Sequence, residues 1–226
     1  MSRVFITGLS VVAPNAIGKE DFISALCEGR SGIRHYPELE RLKFGCQVGG
    51  IPPVTAEMIQ EYLPKVWAKR ITATGVIYGI IAGIQAWQDA NLTVDATTVD
   101  WNSGMILGSG MPGAAVMRDA CNKVDDLNVR RLGSATVQQI MASGPSAHLG
   151  GLLGLGNQVT SNAAACSTGS EAILMGYERI KTGKAKRMLC RGTDSDGPYV
   201  WGGFDAMRVL TRKGNDAPAA ARRPLS

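Results

Sequence analysis

Apolar positions along the chain follow two rhythms. Short runs rich in β-branched and other apolar residues, at Val4 to Thr7, Gly104 to Leu107, Gln158 to Ser161 and Met188 to Arg191, predict strands. Between them the period lengthens. From about Arg70 to Asn91, Ile77, Ile80, Ile81 and Ile84 recur at i, i+3, i+4 and i+7, the spacing of one helix face. Gly75, Gly79 and Gly83 leave a thin flank on the same helix, which is therefore expected to be largely buried. Further helices are predicted near Lys19 to Glu28, where Glu20 and Asp21 suit the positive end of the dipole, near Thr55 to Tyr62, near Val137 to Leu149 and over Ser167 to Lys181. Strands alternating with helices predict an α/β layer architecture with a mostly parallel sheet.

Length and composition narrow this picture. A chain of 226 residues suits one large domain or two small ones, and neither an internal repeat nor an interdomain linker stands out. Five scattered cysteines without a C-x-x-C pair argue against a disulfide framework or a zinc site and fit a reducing cytoplasm. No window approaches the roughly 18 apolar residues of a membrane span, and MSRVFITGLSVV runs directly into polar sequence, so it reads as a strand and not as a signal peptide. The net charge of +5 favours an acidic partner. Nucleic acid is a poor candidate, because aromatics make up only 6% and the basic residues lie in small groups without interleaved rings.

The candidate chemistry centres on SNAAACSTGSEAI, residues 161 to 173. Small residues on both sides of Cys166 are what a sharp strand-to-helix turn requires. A thiol at such a helix start feels the unpaired N–H groups and the dipole, both of which favour thiolate, and its own backbone N–H can face a developing oxyanion. A small residue packed in a strand–helix corner has the same pattern, so placement alone leaves both readings open. GSGMPG, Gly108 to Gly113, formally matches G-x-G-x-x-G, but Asp125 and Asp126 fall too early to hold a ribose, and the plainer reading is a tight turn. His148 sits in an apolar Gly/Leu setting and reads as a satisfied structural histidine; His35 reads as surface loop. Asp194 and Asp196 read as turn formers.

Several segments together resemble one family. RVFITGLSVVAPNAIG at the start, EGRSGI, YGIIAGIQAWQDANL, ILGSGMPG, NAAACSTGSEAI and GGFDAMRVLT are similar to the N-terminal half of β-ketoacyl-acyl-carrier-protein synthases, the condensing, thiolase-like enzymes of type II fatty acid synthesis. The resemblance implies that residues 1–226 form the N-terminal part of an α/β thiolase-like fold, with layered helices around a mixed, mostly parallel sheet. It implies that Cys166 accepts an acyl group from a thioester, ahead of a decarboxylative Claisen condensation with malonyl-acyl carrier protein. Met111 and Phe204 are expected beside the acyl pocket. Lys65, Lys69, Arg70, Arg130, Arg131 and Arg208 are expected to meet the acidic acyl carrier protein, with a salt-sensitive encounter. No cofactor and no metal is implied, and a homodimer is. The family also needs two histidines, a lysine and a second oxyanion N–H from a C-terminal half that this sequence does not contain, and His148 matches none of their motifs. The chain is thus expected to be the N-terminal portion of a longer protein, or to be completed by another polypeptide, with one apolar face left to associate. A ketosynthase of a polyketide or aryl-polyene pathway and a non-catalytic partner subunit are the alternatives; retention of Cys166 speaks against the chain-length-factor relatives, which lack the nucleophile.

Overall fold

A computed structural model describes residues 3–221. Its elements run, in chain order, β1 (Val12–Ala13), β2 (Ala16–Ile17), α1 (Lys19–Cys27), β3 (Arg34–His35), α2 (Pro37–Arg41), β4 (Val48–Gly49), α3 (Ala56–Tyr62) and α4 (Lys65–Ala68). There follow α5 (Thr74–Asp89), β5 (Ser103–Gly108), α6 (Ala114–Asp125), α7 (Thr136–Ile140), α8 (Gly144–Leu152) and β6 (Val159–Thr160). The last are α9 (Thr168–Lys181), β7 (Arg187–Gly192) and α10 (Pro198–Ala206). They divide into two compact units, one built from the segment up to Ser10 with Ala56–Ser195, the other from Val11–Thr55 with the described residues from Asp196 onward.

The larger unit is organised on the all-parallel sheet β6-β5-β7. Central β5 is buried at every position, as expected of a parallel strand covered on both faces. Its register with β7 runs from Ser103↔Arg187 to Gly108↔Gly192, so Met188 and Cys190 share one face while Met105, Leu189 and Arg191 share the other. Helix α9 lies on the first face, where Gly176 sits directly against Cys190 and Met188. Helix α8 lies on the second, with Gly150 against Met105 and Val159, and α5 packs on α8 where Gly83 meets Leu149. Val76, Ile80, Ile81, Met105, Leu107 and Leu149 are fully buried between these layers. The predicted burial of the long isoleucine helix and the parallel sheet are both observed.

Three expectations are corrected. The run Val4 to Thr7 forms no strand with any of the described residues, and Phe5 is 65% and Ile6 77% exposed. A β-prone run becomes a strand only where a neighbour offers a ladder, and here the segment is tied instead to α5, through Leu9 N–H to the Asp89 carboxylate and Ser10 Oγ to Gln85. The helix expected over Val137 to Leu149 is two helices, α7 and α8, because Met141 is extended and Pro145 starts a new helix at its first turn. The helix expected from about Arg70 begins at Thr74, since the N–H groups of Thr72 and Ala73 turn outward to the Gln139 side-chain oxygen.

The smaller unit holds two short antiparallel ribbons, β1–β2 and β3–β4. Trp201 of α10 stacks obliquely on Tyr36 at 5.8 Å and covers Gly49. Asp205, at the end of α10, accepts the N–H groups of Gly45 and Cys46, both at 2.9 Å, and these bonds hold its carboxyl below the usual range.

Candidate active site

Cys166 stands at the turn between β6 and α9. The turn is a single 3-10 turn, Ala165–Ser167, directly followed by α9. Ala165 has φ 48, a left-handed conformation unfavourable for a residue with a Cβ, so the surroundings must hold it. Thr168 supplies part of that hold: its Oγ accepts the Ala164 N–H at 2.8 Å and donates to the Ala165 carbonyl at 2.8 Å, closing the turn across its own helix start. Asn162 supplies the rest, donating from Nδ2 to the Thr168 carbonyl and to Glu171, each at 2.9 Å.

The two strand ends beneath make room for this approach. A Cβ at Gly108, the last residue of β5, would run into Asn162 and Thr168; a Cβ at Gly192, the last of β7, would press on the Gly169 backbone. Glycine at both ends lets the start of α9 sit down on the sheet, and the consequence is an exposed Cys166 at its tip. The small residues around Cys166 therefore do form the predicted strand-to-helix turn.

The other candidates are distributed. Met111 lies in the loop after β5, in the same unit as Cys166, and is 44% exposed. Phe204 lies on α10 in the other unit and is 40% exposed. Lys65, Lys69, Arg70, Arg130 and Arg131 are all exposed in the larger unit. The segment just after Arg70 is tied to α7 by buried Gln139, which takes the N–H groups of Thr72 and Ala73 and donates to the Arg70 carbonyl at 3.2 Å. Exposed Val66, Val129 and Val137 accompany these cations, so the surface is mixed basic and apolar. Arg208 is exposed in the smaller unit.

Neither histidine is hydrogen-bonded to Cys166. His148 is buried edge-on against Trp67, ring centres 4.6 Å apart, and burial pulls its pKa below the usual imidazole value, which keeps it neutral at pH 7. Its Nε2 has no hydrogen-bond partner among the described residues, so it is held by packing and not, as expected from the sequence, by satisfied hydrogen bonds. His35 lies on exposed β3 beside Gln47, in a short ribbon and not a loop. Among the described residues no group of three His, Cys, Asp or Glu could hold a metal ion, and no helix is long and apolar enough to cross a membrane.

The glycine loop also has its polar groups accounted for. The N–H groups of Gly110 and Met111, which a dinucleotide phosphate would need, both point at Asp194 Oδ1, at 2.9 and 3.3 Å. A carboxylate already stands where a phosphate would. In the sequence Asp194 reads as a turn former and Thr168 only as one of the residues that open the helix, and nothing there marks Asn162. The threonine was discoverable as a side-chain cap two residues after the cysteine, whereas nothing in the sequence pairs Asp194 with a loop 84 residues away.

Comparison with known proteins identifies the family and the fold. A family model described as "Beta-ketoacyl synthase, N-terminal domain" matches residues 1–223. The chain is 29% identical over 224 residues to a 3-oxoacyl-acyl-carrier-protein synthase 2 of Synechocystis, covering 99% of this chain and 53% of that protein. It is also 29% identical to the 3-oxoacyl-acyl-carrier-protein synthase 1 of Escherichia coli K12, covering 99% of this chain and 54% of the relative. The chain thus spans about half the length of the curated relatives it matches. A crystal structure of a beta-ketoacyl synthase from Burkholderia phymatum superposes with a TM-score of 0.81 at 24% identity, over 99% of this chain and 54% of that one. A ketosynthase solved with its type II PKS acyl-carrier protein superposes with a TM-score of 0.76 at 22% identity, over 92% and 49% of the two chains. The fold is the α/β, thiolase-like fold of ketosynthases.

Proposed function

The chain belongs to the beta-ketoacyl synthase N-terminal-domain family, and from that premise we propose that Cys166 is the acyl-accepting nucleophile of a condensing enzyme of fatty acid synthesis. One observation carries the reading: an exposed cysteine on a turn that Thr168, Asn162 and two strand-end glycines hold against the sheet, in a chain whose family model spans nearly its whole length. The names of the curated relatives, 3-oxoacyl-acyl-carrier-protein synthases, support fatty acid synthesis over a polyketide pathway.

In the proposed transfer the Cys166 thiolate attacks the carbonyl carbon of an acyl thioester carried by acyl carrier protein. The new Sγ–C bond forms as the carrier's C–S bond breaks, and the carrier leaves as its thiolate, which takes a proton from solvent. A backbone N–H at this helix start is read as facing the oxyanion that develops. Condensation then follows: malonyl-acyl carrier protein loses carbon dioxide, and the carbanion equivalent so formed attacks the acyl-Cys166 carbonyl and releases the thiolate. Neither His148 nor His35 is hydrogen-bonded to Cys166, and neither is assigned an acid–base role in that step.

Met111, in the unit that carries Cys166, is read as lining the acyl pocket, where a thioether adapts to chains of different length. The carrier protein is read as docking on Lys65, Lys69, Arg70, Arg130 and Arg131, its acidic surface meeting cations interspersed with valines. A homodimer is the expected assembly. Intact-mass measurement after exposure to an acyl thioester or to cerulenin tests the central claim. A single adduct that disappears in Cys166→Ala is the expected result, and no adduct on folded protein overturns it. Reversing several of these five charges is expected to weaken carrier binding, and unchanged affinity would remove that surface from the reading.

A further inference from the structure

Met111 is held by its backbone from both sides. Its N–H donates to Asp194 Oδ1 at 3.3 Å, and its carbonyl accepts from Ser195, from Oγ at 2.5 Å and from the backbone N–H at 3.2 Å. The same Asp194 oxygen also takes the Gly110 N–H at 2.9 Å and the Ser109 hydroxyl at 3.2 Å. Ser109 and Pro112, on either side, are fully buried, while the Met111 side chain stands out. A flexible side chain is thus mounted on a fixed main chain.

The residues doing the fixing form a short strap that leaves the end of β7. Thr193 anchors it, with its N–H on the Gly108 carbonyl at 3.0 Å and its hydroxyl on the Gly75 carbonyl at 2.8 Å. At the start of α5, Gly75 donates to the Pro112 carbonyl at 3.1 Å, and a Cβ there would meet both Pro112 and the Ser195 N–H at about 3 Å. Loop, strap and helix start are therefore in van der Waals contact, with no slack to take up. The strap begins at Gly192, whose backbone lies against Gly169 in the first turn of α9, two residues after the 3-10 turn that carries Cys166. One continuous chain of contacts thus leads from the nucleophile's helix, through Gly192 and Thr193, to both polar groups of the Met111 backbone.

We propose that Asp194 and Ser195 are positioning residues for acyl-chain selection: they set where Met111 stands relative to Cys166. This rests on the reading of Met111 as part of the acyl pocket. Releasing the loop would let Met111 retreat or intrude and change which chain length fits, whereas a purely structural role would depress all chain lengths alike. One methylene in an apolar pocket is worth about tenfold or more in selectivity, so a shift of that size is the expected reading.

The test is the ratio of long-chain to short-chain acylation rates at Cys166, measured by intact mass in the full protein from acyl thioesters of graded length. Asp194→Ala removes the shared acceptor and is expected to move the ratio about tenfold. Asp194→Asn keeps an oxygen at the same place for both N–H groups and is expected to restore it. Ser195→Ala, which removes one hydroxyl only, carries the same test in milder form should Asp194→Ala not fold: a shifted ratio supports the proposal and an unchanged one overturns it. Met111→Phe separates the two claims. If it shifts the ratio while the Asp194 and Ser195 variants lower all rates alike, the positioning role falls and the pocket reading stands. If it leaves the ratio unchanged, the pocket reading falls and the positioning role with it.

Discussion

Helices α5 and α9 belong to the same unit and differ in what surrounds them. In α5 the apolar residues close round the helix: Val76, Ile77, Ile80, Ile81 and Ile84 are all buried, and its glycines meet Pro112, Thr193 and Leu149. In α9 only Thr168, Ala172 and Gly176 are buried, all small, while Ile173, Leu174 and Tyr177 are exposed. The first helix contributes apolar area, and the second contributes close approach to the sheet. Close approach is what the nucleophile turn needs, because it places the start of α9 on the glycine ends of β5 and β7; the large residues then have to stand on the outer flank.

This contrast can be broken by mutation, and the largest effect is expected inside α5. Ile81→Ala opens a cavity among fully buried side chains and is expected to cost about 2–5 kcal/mol in denaturant titration. A cost below about 1 kcal/mol would mean that the α5 layer is looser than its burial indicates.

On the α9 side the sensitive positions are glycines. Gly108→Ala drives a methyl group into Asn162 and Thr168 and is expected to cost about 1–3 kcal/mol and to slow alkylation of Cys166. Normal stability with normal alkylation would show that the turn does not depend on close seating.

A third measurement uses half-buried Cys190, which faces Gly176; desolvation pushes its thiol up from 9.0 to about 11. Because the folded pKa lies above that of the unfolded chain, this group's contribution is complete below pH 9 and is lost as pH rises to about 11, on the order of 2 kcal/mol. Burial pulls the Arg191 guanidinium down from its usual range to about 10, so it acts in the opposite direction above pH 10. Cys190→Ala isolates the thiol: its stability curve is expected to fall less between pH 9 and 11 than that of the unmodified protein, and parallel curves would place Cys190 in contact with water.

The smallest effect is expected on the outer flank of α9. Leu174→Ala is predicted to change stability by less than about 0.5 kcal/mol, as for an exposed side chain. A loss above about 1 kcal/mol would show that another surface covers this flank in solution.

Much of this was legible from the chain, and the particular failures are instructive. The isoleucine spacing of α5, the apolar runs of β5 and β7, and the small residues around Cys166 each act within a few residues, so the pattern carries the structure. Val4 to Thr7 failed because a strand needs a partner that its own pattern cannot specify. The split between α7 and α8 was announced by Pro145 and underrated, while the late start of α5 depends on Gln139, whose reach to residues 72 and 73 has no local sign.

The candidate site divides along the same line. Local sequence determined that a cysteine would sit on a tight turn before a helix, because steric room and helix capping are settled within one turn of chain. Only the tertiary structure decided that Gly108 and Gly192 seat that turn on the sheet, and that Asp194 and Ser195 grip Met111 from 83 and 84 residues away. Those contacts exist because β5 and β7 are neighbours in a parallel sheet, which brings together loops that the covalent chain keeps far apart.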